Sequence, residues 1–336
     1  MHYFIFARRK TVNDNQWISA IVSEQRVLVI SNPATLRIDM GRLKIERDGF
    51  DHTFVAPKDV AVLCLEHHTA TLSVAVLRAL DEAGAAVLVT DARHMPCAMQ
   101  IPLAATGLDA GRLRQQIALD ASEKRGEVWQ QLITAKLATQ AASLRALKRN
   151  GALRLERLAT QVGHGDQSNA EGQGARHYWT NLFPETFRRS KEGAEDPLNI
   201  RLNYGYAVLR AMIARSLVAA GLNGTLGVGH CNAGNAFNLA DDFIEPFRFL
   251  VDVHLAQDAD IWSEAPEFDS RAKRYLLGFV ERPVRMAGQD MRLHAAVDTS
   301  IASYVRILDG KGKKLVLPEG LVITEGDEKW VSTDGV

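Results

Sequence analysis

The residues best placed to do chemistry lie between Phe237 and Asp252, in Phe-Asn-Leu-Ala-Asp-Asp-Phe-Ile-Glu-Pro-Phe-Arg-Phe-Leu-Val-Asp. On a helix turning about 100° per residue, Asn238, Asp241, Asp242, Glu245, Arg248 and Asp252 share one arc. The rest is mostly Phe, Leu, Ile, Val and Ala, with only Phe249 intruding on the polar side, so the helix is expected to be largely buried. Pro246 should kink or break it. Charged side chains avoid full burial unless they are paired or bind metal, so the acidic stripe needs a partner. One partner is an ion pair from Arg248 to Asp252, four residues on along the same face. The other is a cation. Asp242 and Glu245, three apart, repel unless one is protonated or a cation lies between them. These residues alone leave a metal site and a structural network both open.

His230 follows a glycine-rich turn (Gly224, Gly227, Gly229) and leads into the paired carboxylates. A lone histidine is commonly structural; this position favours a ligand. Glu171 stands in Asn169-Ala-Glu-Gly-Gln-Gly-Ala-Arg176, where Gly172, Gly174 and Ala175 would let another backbone approach closely. A helical glycine costs about 1 kcal/mol relative to alanine, which points to a packing or site requirement. An ordinary exposed glutamate near a helix start is the alternative. Cys231, adjacent to His230, does not make a thiol–imidazole pair, because consecutive residues on a helix or strand do not face each other. His67, His68 and His94 have no acidic constellation nearby and read as structural or surface residues.

The elements that must hold these groups fall into two textures. From Trp17 to about Pro102, short apolar and β-branched runs separated by turn residues predict strands, including Val27–Ile30, Leu43–Glu46, Val60–Cys64 and Ala86–Thr90. One helix interrupts them at 71–80. Beyond Pro102, spacings of three and four residues predict helices over 109–147, 152–162, 170–183, 200–220, 235–256 and 270–290. The end reads as a hairpin, Tyr304–Leu308 and Leu315–Leu317 around Asp309-Gly310. The fold class is α+β, with an extension (1–16), a small β-rich N-terminal domain (17–102), a larger all-helical domain (103–295) and a C-terminal tail (296–336). The 336 residues are enough for two domains.

With 40 basic and 40 acidic residues the chain is neutral, unlike a passive nucleic-acid coat, though an enzyme that segregates its charge remains allowed. Cationic clusters occur at Arg145, Lys148, Arg149, Arg154 and Arg157, at Arg188-Arg189-x-Lys191, at Arg271-x-Lys273-Arg274, and at Arg282, Arg285 and Arg292. Each is either a solvated helix face or a phosphate contact. No run approaches the roughly 18–20 apolar residues of a membrane-spanning helix, and the N-terminal charge follows a very short apolar stretch, unlike a secretory signal. A cytoplasmic protein is expected. Three cysteines without CxxC spacing indicate neither a disulfide framework nor a zinc site.

Three motifs then fall in order: Glu171-Gly-x-x-Ala-Arg176-x-Tyr178, Asn203-Tyr-Gly-Tyr206-Ala-Val-Leu, and Gly229-His230 through Asn235-Ala-Phe-Asn-Leu-Ala-x-Asp242 to Glu245-Pro-Phe-Arg248 and Asp252. Together with Leu36–Pro57 and Thr90-Asp-x-Arg-His94-x-Pro96, they resemble the Cas1 family of CRISPR adaptation integrases, in a type II-like form. The resemblance covers about Trp17 to Arg292. It implies that the helical domain is catalytic, with Glu171, His230 and Glu245 as metal ligands for Mg²⁺ or Mn²⁺ and Asp242 as an acidic accessory. It also implies a homodimer, two of which flank a Cas2 dimer in a heterohexamer, bind a double-stranded DNA fragment and insert it into CRISPR repeat DNA. The reaction implied is attack of a 3′-hydroxyl on a phosphodiester. Arg176, Arg188, Arg189, Arg248, Arg271, Lys273 and Arg274 are the expected phosphate contacts, Arg248 being the one to reach the site itself. A metal nuclease using water and a non-catalytic DNA scaffold are the competing readings.

Overall fold

The computed structural model describes residues 26–91, 96–102, 110–190, 195–257 and 268–321. The extension 1–16, His94 and Lys191 lie outside the described residues. The N-terminal part runs β1 (Arg26–Ile30), β2 (Thr35–Asp39), β3 (Arg42–Glu46), β4 (Thr53–Val55), β5 (Val60–Leu65), β6 (Thr71–Leu72), α1 (Val74–Glu82), β7 (Ala86–Thr90) and β8 (Pro96–Gln100). Two four-stranded sheets result, in the orders β1-β5-β7-β8 and β4-β3-β2-β6. In the first, β1, β5 and β7 are parallel and β8 is antiparallel at the edge. Parallel strands buried on both faces read as continuous apolar runs, as Val60–Cys64 does. On one face Leu28, Leu63 and Val87 pack with Leu36, Leu43, Val76 and Leu80 of the second sheet and α1. On the other, Val62, Cys64, Ala86 and Leu88 join the core of the helical part. The central sheet is therefore the joint between the two parts.

The helical part comprises α2 (Ala110–Asp120), α3 (Lys124–Ala146), α4 (Ala152–Gln161), α5 (Ala170–Leu182), α6 (Pro197–Ala219), α7 (Asn238–Ile244), α8 (Phe249–Ala256) and α9 (Ser270–Leu277). β9 (Val284–Met286), β10 (Gln289–Met291), α10 (Leu293–Leu308) and β11 (Pro318–Leu321) complete it. α6 is buried nearly all round, which makes it the central post. Pro197 at its first turn and Asp196, whose carboxylate accepts from Asn199 N at 2.9 Å, fix its start. No helix among the described residues is long and apolar enough to cross a membrane.

Three expectations change. The 237–252 stretch is two helices, α7 and α8, with a 3-10 turn over Glu245–Phe247 between them. Pro246, having no N–H to donate, accounts for the break. The 304–317 hairpin is absent: Tyr304–Leu308 ends α10, and Gly310, at φ +71°, follows the helix end as a C-terminal glycine. Ile301, Tyr304 and Ile307 of this helix are core residues. The helical part also carries a small antiparallel sheet, β10-β9-β11, so it is not helical throughout.

Candidate active site

The site is assembled from α3, α5, the turn at 227–230, and the α7–α8 junction. Glu171 lies in the first turn of α5, whose start is fixed twice over. Asn169 caps Gly172 N at 3.0 Å, and the Asp166 carboxylate accepts from Ala170 N at 2.8 Å and Glu171 N at 3.0 Å. A Cβ on Gly174 would lie 2.1 Å from a Leu137 methyl, so glycine here lets α5 close onto α3. The small-residue run around Glu171 thus reflects helix packing.

His230 is held by Asp242. This buried carboxylate accepts from the backbone N–H groups of Val228 (2.5 Å), Gly229 (3.2 Å) and His230 (2.8 Å), and its Oδ1 is 2.9 Å from His230 Nδ1. Gly227 makes this wrap possible, since a Cβ there would lie 2.2 Å from His230 O and 2.8 Å from Asp242 Oδ2. A carboxylate facing Nδ1 fixes the proton on that nitrogen and leaves Nε2 with its lone pair. The Asp242 contact raises the His230 pKa above its usual value, with Glu245 and Asp241 adding to the effect. The Trp129 ring meets the imidazole edge-on, centroids 5.7 Å apart. Asp242 therefore orients the histidine. Its oxygens are already committed.

Glu245 is enclosed, its side chain 2% exposed, whereas Glu171 and His230 remain accessible at 33% and 36%. Arg248 Nη2 stands 3.2 Å from Glu245 Oε1, and its guanidinium lies over the Tyr206 ring at 4.6 Å. A residue that the sequence reading missed completes the set: Lys136 of α3, whose Nζ is 2.7 Å from Glu171 Oε1 and 2.6 Å from Glu245 Oε2. Burial alone would raise the Glu245 carboxyl, but the charges of Arg248 and Lys136 outweigh it and hold it at about 2. The expected Arg248–Asp252 pairing is replaced: Asp252 accepts from the Tyr206 hydroxyl.

Among the described residues no three metal-binding side chains form a ready-made cluster. The donors present nonetheless suit a hard divalent ion, with two carboxylates and an imidazole nitrogen free to ligate. The fully buried Glu245 Oε2 has the Lys136 ammonium 2.6 Å away but no properly directed hydrogen bond from it, so this oxygen already faces a cation position.

The expected phosphate contacts separate. Arg176 is exposed and lines a shallow pocket of ≈ 340 Å³ with Arg154, Gln173, His177 and Thr180. That pocket is on the face of α5 away from Glu171. Arg188 is exposed, with its guanidinium folded onto the carbonyls of Glu185 and Phe187, and Arg274 is exposed on α9. Arg189 is half-buried between Asn199 and Asn203 and lies 5.4 Å from the Tyr206 ring, whose hydroxyl donates to Asp252. Lys273 corrects the surface expectation: it is 3% exposed, and its Nζ is 2.6 Å from Glu66 Oε2. Only the backbone of Arg271 is described. In the 145–157 cluster, Arg145 is paired with Glu156 at 2.7 and 2.8 Å. Cys231 Sγ meets Arg125 Nη2 at 2.6 Å, away from any nucleophile–base pairing, and all three cysteines are free.

The profile of a family described as "CRISPR associated protein Cas1" matches residues 27–277. The CRISPR-associated endonuclease Cas1 of Neisseria meningitidis serogroup C (strain 8013) is 34% identical over 305 residues, covering 89% of this chain and 98% of the relative. Among solved structures, a casposase bound to integration product superposes with a TM-score of 0.74 at 17% identity, over 92% of this chain and 99% of that one. A chain of a Cas6-RT-Cas1–Cas2 complex does so at 0.66 and 17% identity, over 92% of this chain and 37% of that one. By the profile match and the near-full-length relative, this chain belongs to the Cas1 family.

Proposed function

We propose that this chain is a metal-dependent DNA integrase of CRISPR adaptation, inserting short foreign DNA fragments into a repeat array. The observation that carries the reading is the convergence of Glu171 and Glu245, from separate elements, on a single cation position. Beside them His230 presents an unused Nε2 and is near enough to Glu245 that each biases the other's ionisation. The name of the Neisseria relative, an endonuclease, supports action on DNA phosphodiesters.

Glu171, His230 and Glu245 would hold one Mg²⁺ or Mn²⁺ ion, the imidazole tilting the preference toward Mn²⁺. When bound there, the ion polarises the scissile phosphoryl oxygen and lowers the pKa of the attacking hydroxyl. In the reaction the 3′-oxygen of the incoming DNA forms a new bond to phosphorus, while the repeat's own 3′-oxygen leaves and takes up a proton. Asp242 keeps the imidazole in one tautomer and orientation. Arg248 balances the buried Glu245 charge. Arg176, Arg188, Arg189, Arg271 and Arg274 are proposed to position phosphates; Lys273, already spent on Glu66, is not among them. The proposed assembly is a heterohexamer in which two homodimers flank a Cas2 dimer, and the partner is supported by the Cas1–Cas2 complex that shares this fold.

The relative's endonuclease name also favours a second reading, hydrolysis with water as nucleophile. The test supplies Mn²⁺, a DNA fragment with 3′-hydroxyl ends and a repeat-containing duplex, and measures joining, cleavage and DNA binding together for Glu171→Ala and His230→Ala. Each change should cost at least about 100-fold in joining, since groups that only orient metal ligands already cost 10–100-fold, and should leave binding intact. Joining that survives either change removes the proposed site. Cleavage without joining by the unmutated protein selects hydrolysis, and binding with neither reaction selects a scaffold.

A further inference from the structure

We propose that the Lys136 ammonium is the resting cation of this site, and that a divalent ion enters by displacing it. The inference rests on the metal reading above.

Lys136 projects from the buried face of α3, where Ile133, Leu137 and Leu144 belong to the core. Its side chain is only 6% exposed. Lysine is almost never buried to this degree without a partner, and here the partners are the two carboxylates assigned as metal ligands. One positive charge lies between Glu171 and Glu245, holding together groups from α5 and from the turn before α8.

The fit is incomplete in an informative way. Lys136 makes a directed hydrogen bond to Glu171 Oε1, whereas Glu245 Oε2 is equally near but has no properly directed bond. An ammonium offers three N–H donors, which can turn about the Cε–Nζ bond but keep their mutual angles. A metal ion makes no such demand for a particular N–H direction, and it binds carboxylate oxygens at about 2.0–2.1 Å in the case of Mg²⁺. An ion holding both oxygens would occupy the space Nζ now fills, and like charges exclude sharing it. The flexible four-carbon stem allows the head to leave without moving the helix. Gln140, one turn further along the same face of α3, has a buried Oε1 with no hydrogen bond among the described residues, an acceptor suited to receive the displaced head. In this arrangement the apo protein keeps its ligands collected, and the lysine competes with the metal.

The experiment measures MnCl2 binding to the full chain by calorimetry, for the unmutated protein, Lys136→Met and Glu171→Gln. Removing a competitor should tighten binding: Lys136→Met is expected to lower the Kd at least ten-fold and to enlarge the rise in Tm caused by Mn²⁺. Glu171→Gln should abolish the measured binding, which places it at this site. A lysine that merely braces the fold would give the opposite, so unchanged or weaker Mn²⁺ binding by Lys136→Met overturns the proposal while the metal reading stands. Absence of binding in both the unmutated protein and Lys136→Met overturns the metal reading itself, and this inference with it. Should Lys136→Met fail to fold, Lys136→Gln carries the same comparison, because its amide still donates to one carboxylate without the charge.

Discussion

Among the described residues two lysines are buried against glutamates at 2.6 Å, and they are built to different ends. Lys273 faces Glu66 alone. That carboxylate also accepts from the Tyr204 hydroxyl at 2.6 Å and from Ser31 Oγ at 3.0 Å, so both of its oxygens are satisfied. The pair joins the end of β5 in the N-terminal part to α6 and α9 of the helical part, with the Phe268 ring 5.3 Å from the ammonium. Charge is matched one to one and the contact is closed. Lys136, by contrast, is shared between two carboxylates, one of which is enclosed and the other of which reaches solvent. A buried ion pair of the first kind holds a domain junction, and a cation shared between two carboxylates, as Lys136 is, is placed to be exchanged.

The largest effect should come from breaking the closed pair. Lys273→Met strands the Glu66 carboxylate in the interior, and removing one partner of a buried pair costs about 3–5 kcal/mol. Urea unfolding should show that loss, and Lys273→Met combined with Glu66→Gln should recover much of it, because the neutral amide still bonds Tyr204 and Ser31. A loss below about 1 kcal/mol, the range of exposed pairs, would mean the junction is not locked by this contact.

On the open side, Asp242→Asn should act through His230. It keeps the shape but removes the charge that fixes the imidazole, and such orienting partners are worth about 10–100-fold in metal affinity or activity. The neighbouring Asp241 gives the contrast: it acts on His230 only through its charge and is itself paired with Arg210 at 3.4 Å and Asn235 at 2.7 Å. Asp241→Asn should leave Mn²⁺ affinity nearly unchanged. Equal effects of the two substitutions would dissolve the distinction between a ligand-orienting carboxylate and a merely adjacent one.

Much of this site was legible. The polar arc over 237–252 pointed to Glu245 and Asp242, and the runs at 27–30, 60–64 and 86–90 fell where the parallel strands formed, with 43–46 in the second sheet. The arc could not separate Asp242, which wraps the 227–230 turn, from Glu245, which lies toward Lys136, because both occupy one side of a helix that Pro246 then breaks. Lys136 was missed because it is 35 residues from Glu171 and no spacing rule joins them. A signal was nevertheless present: Leu132, Ile133, Lys136, Leu137 and Gln140 follow one helical face, and a lysine among core positions needs an anion. Lys273 was misread for the converse reason, since a basic cluster on a helix gives no hint that one member turns inward. Tyr304–Leu308 failed as a strand because a short apolar run is ambiguous between strand and helix until the length of the whole element is known.

The smallest effect tests a third buried carboxylate, which is neither closed nor open to exchange. Asp252 is fully buried and accepts from Tyr206, with the Tyr178 hydroxyl also facing it. Burial pushes its pKa up to about 7, against the opposing pull of the Tyr206 hydrogen bond and the Arg248 charge. The unfolded chain releases this proton at about 3.9. Between those values the folded state holds a proton that the unfolded state has given up, so this group's contribution to stability falls as pH rises through that window. Asp252→Asn cannot ionise and should escape the loss. The difference in Tm between variant and unmutated protein should therefore move in the variant's favour from pH 5 to pH 8, other groups cancelling in the comparison. Parallel pH profiles would show that Asp252 is ionised throughout, with Arg248 as a true counter-charge, and would place it with the closed pair of Lys273 and Glu66.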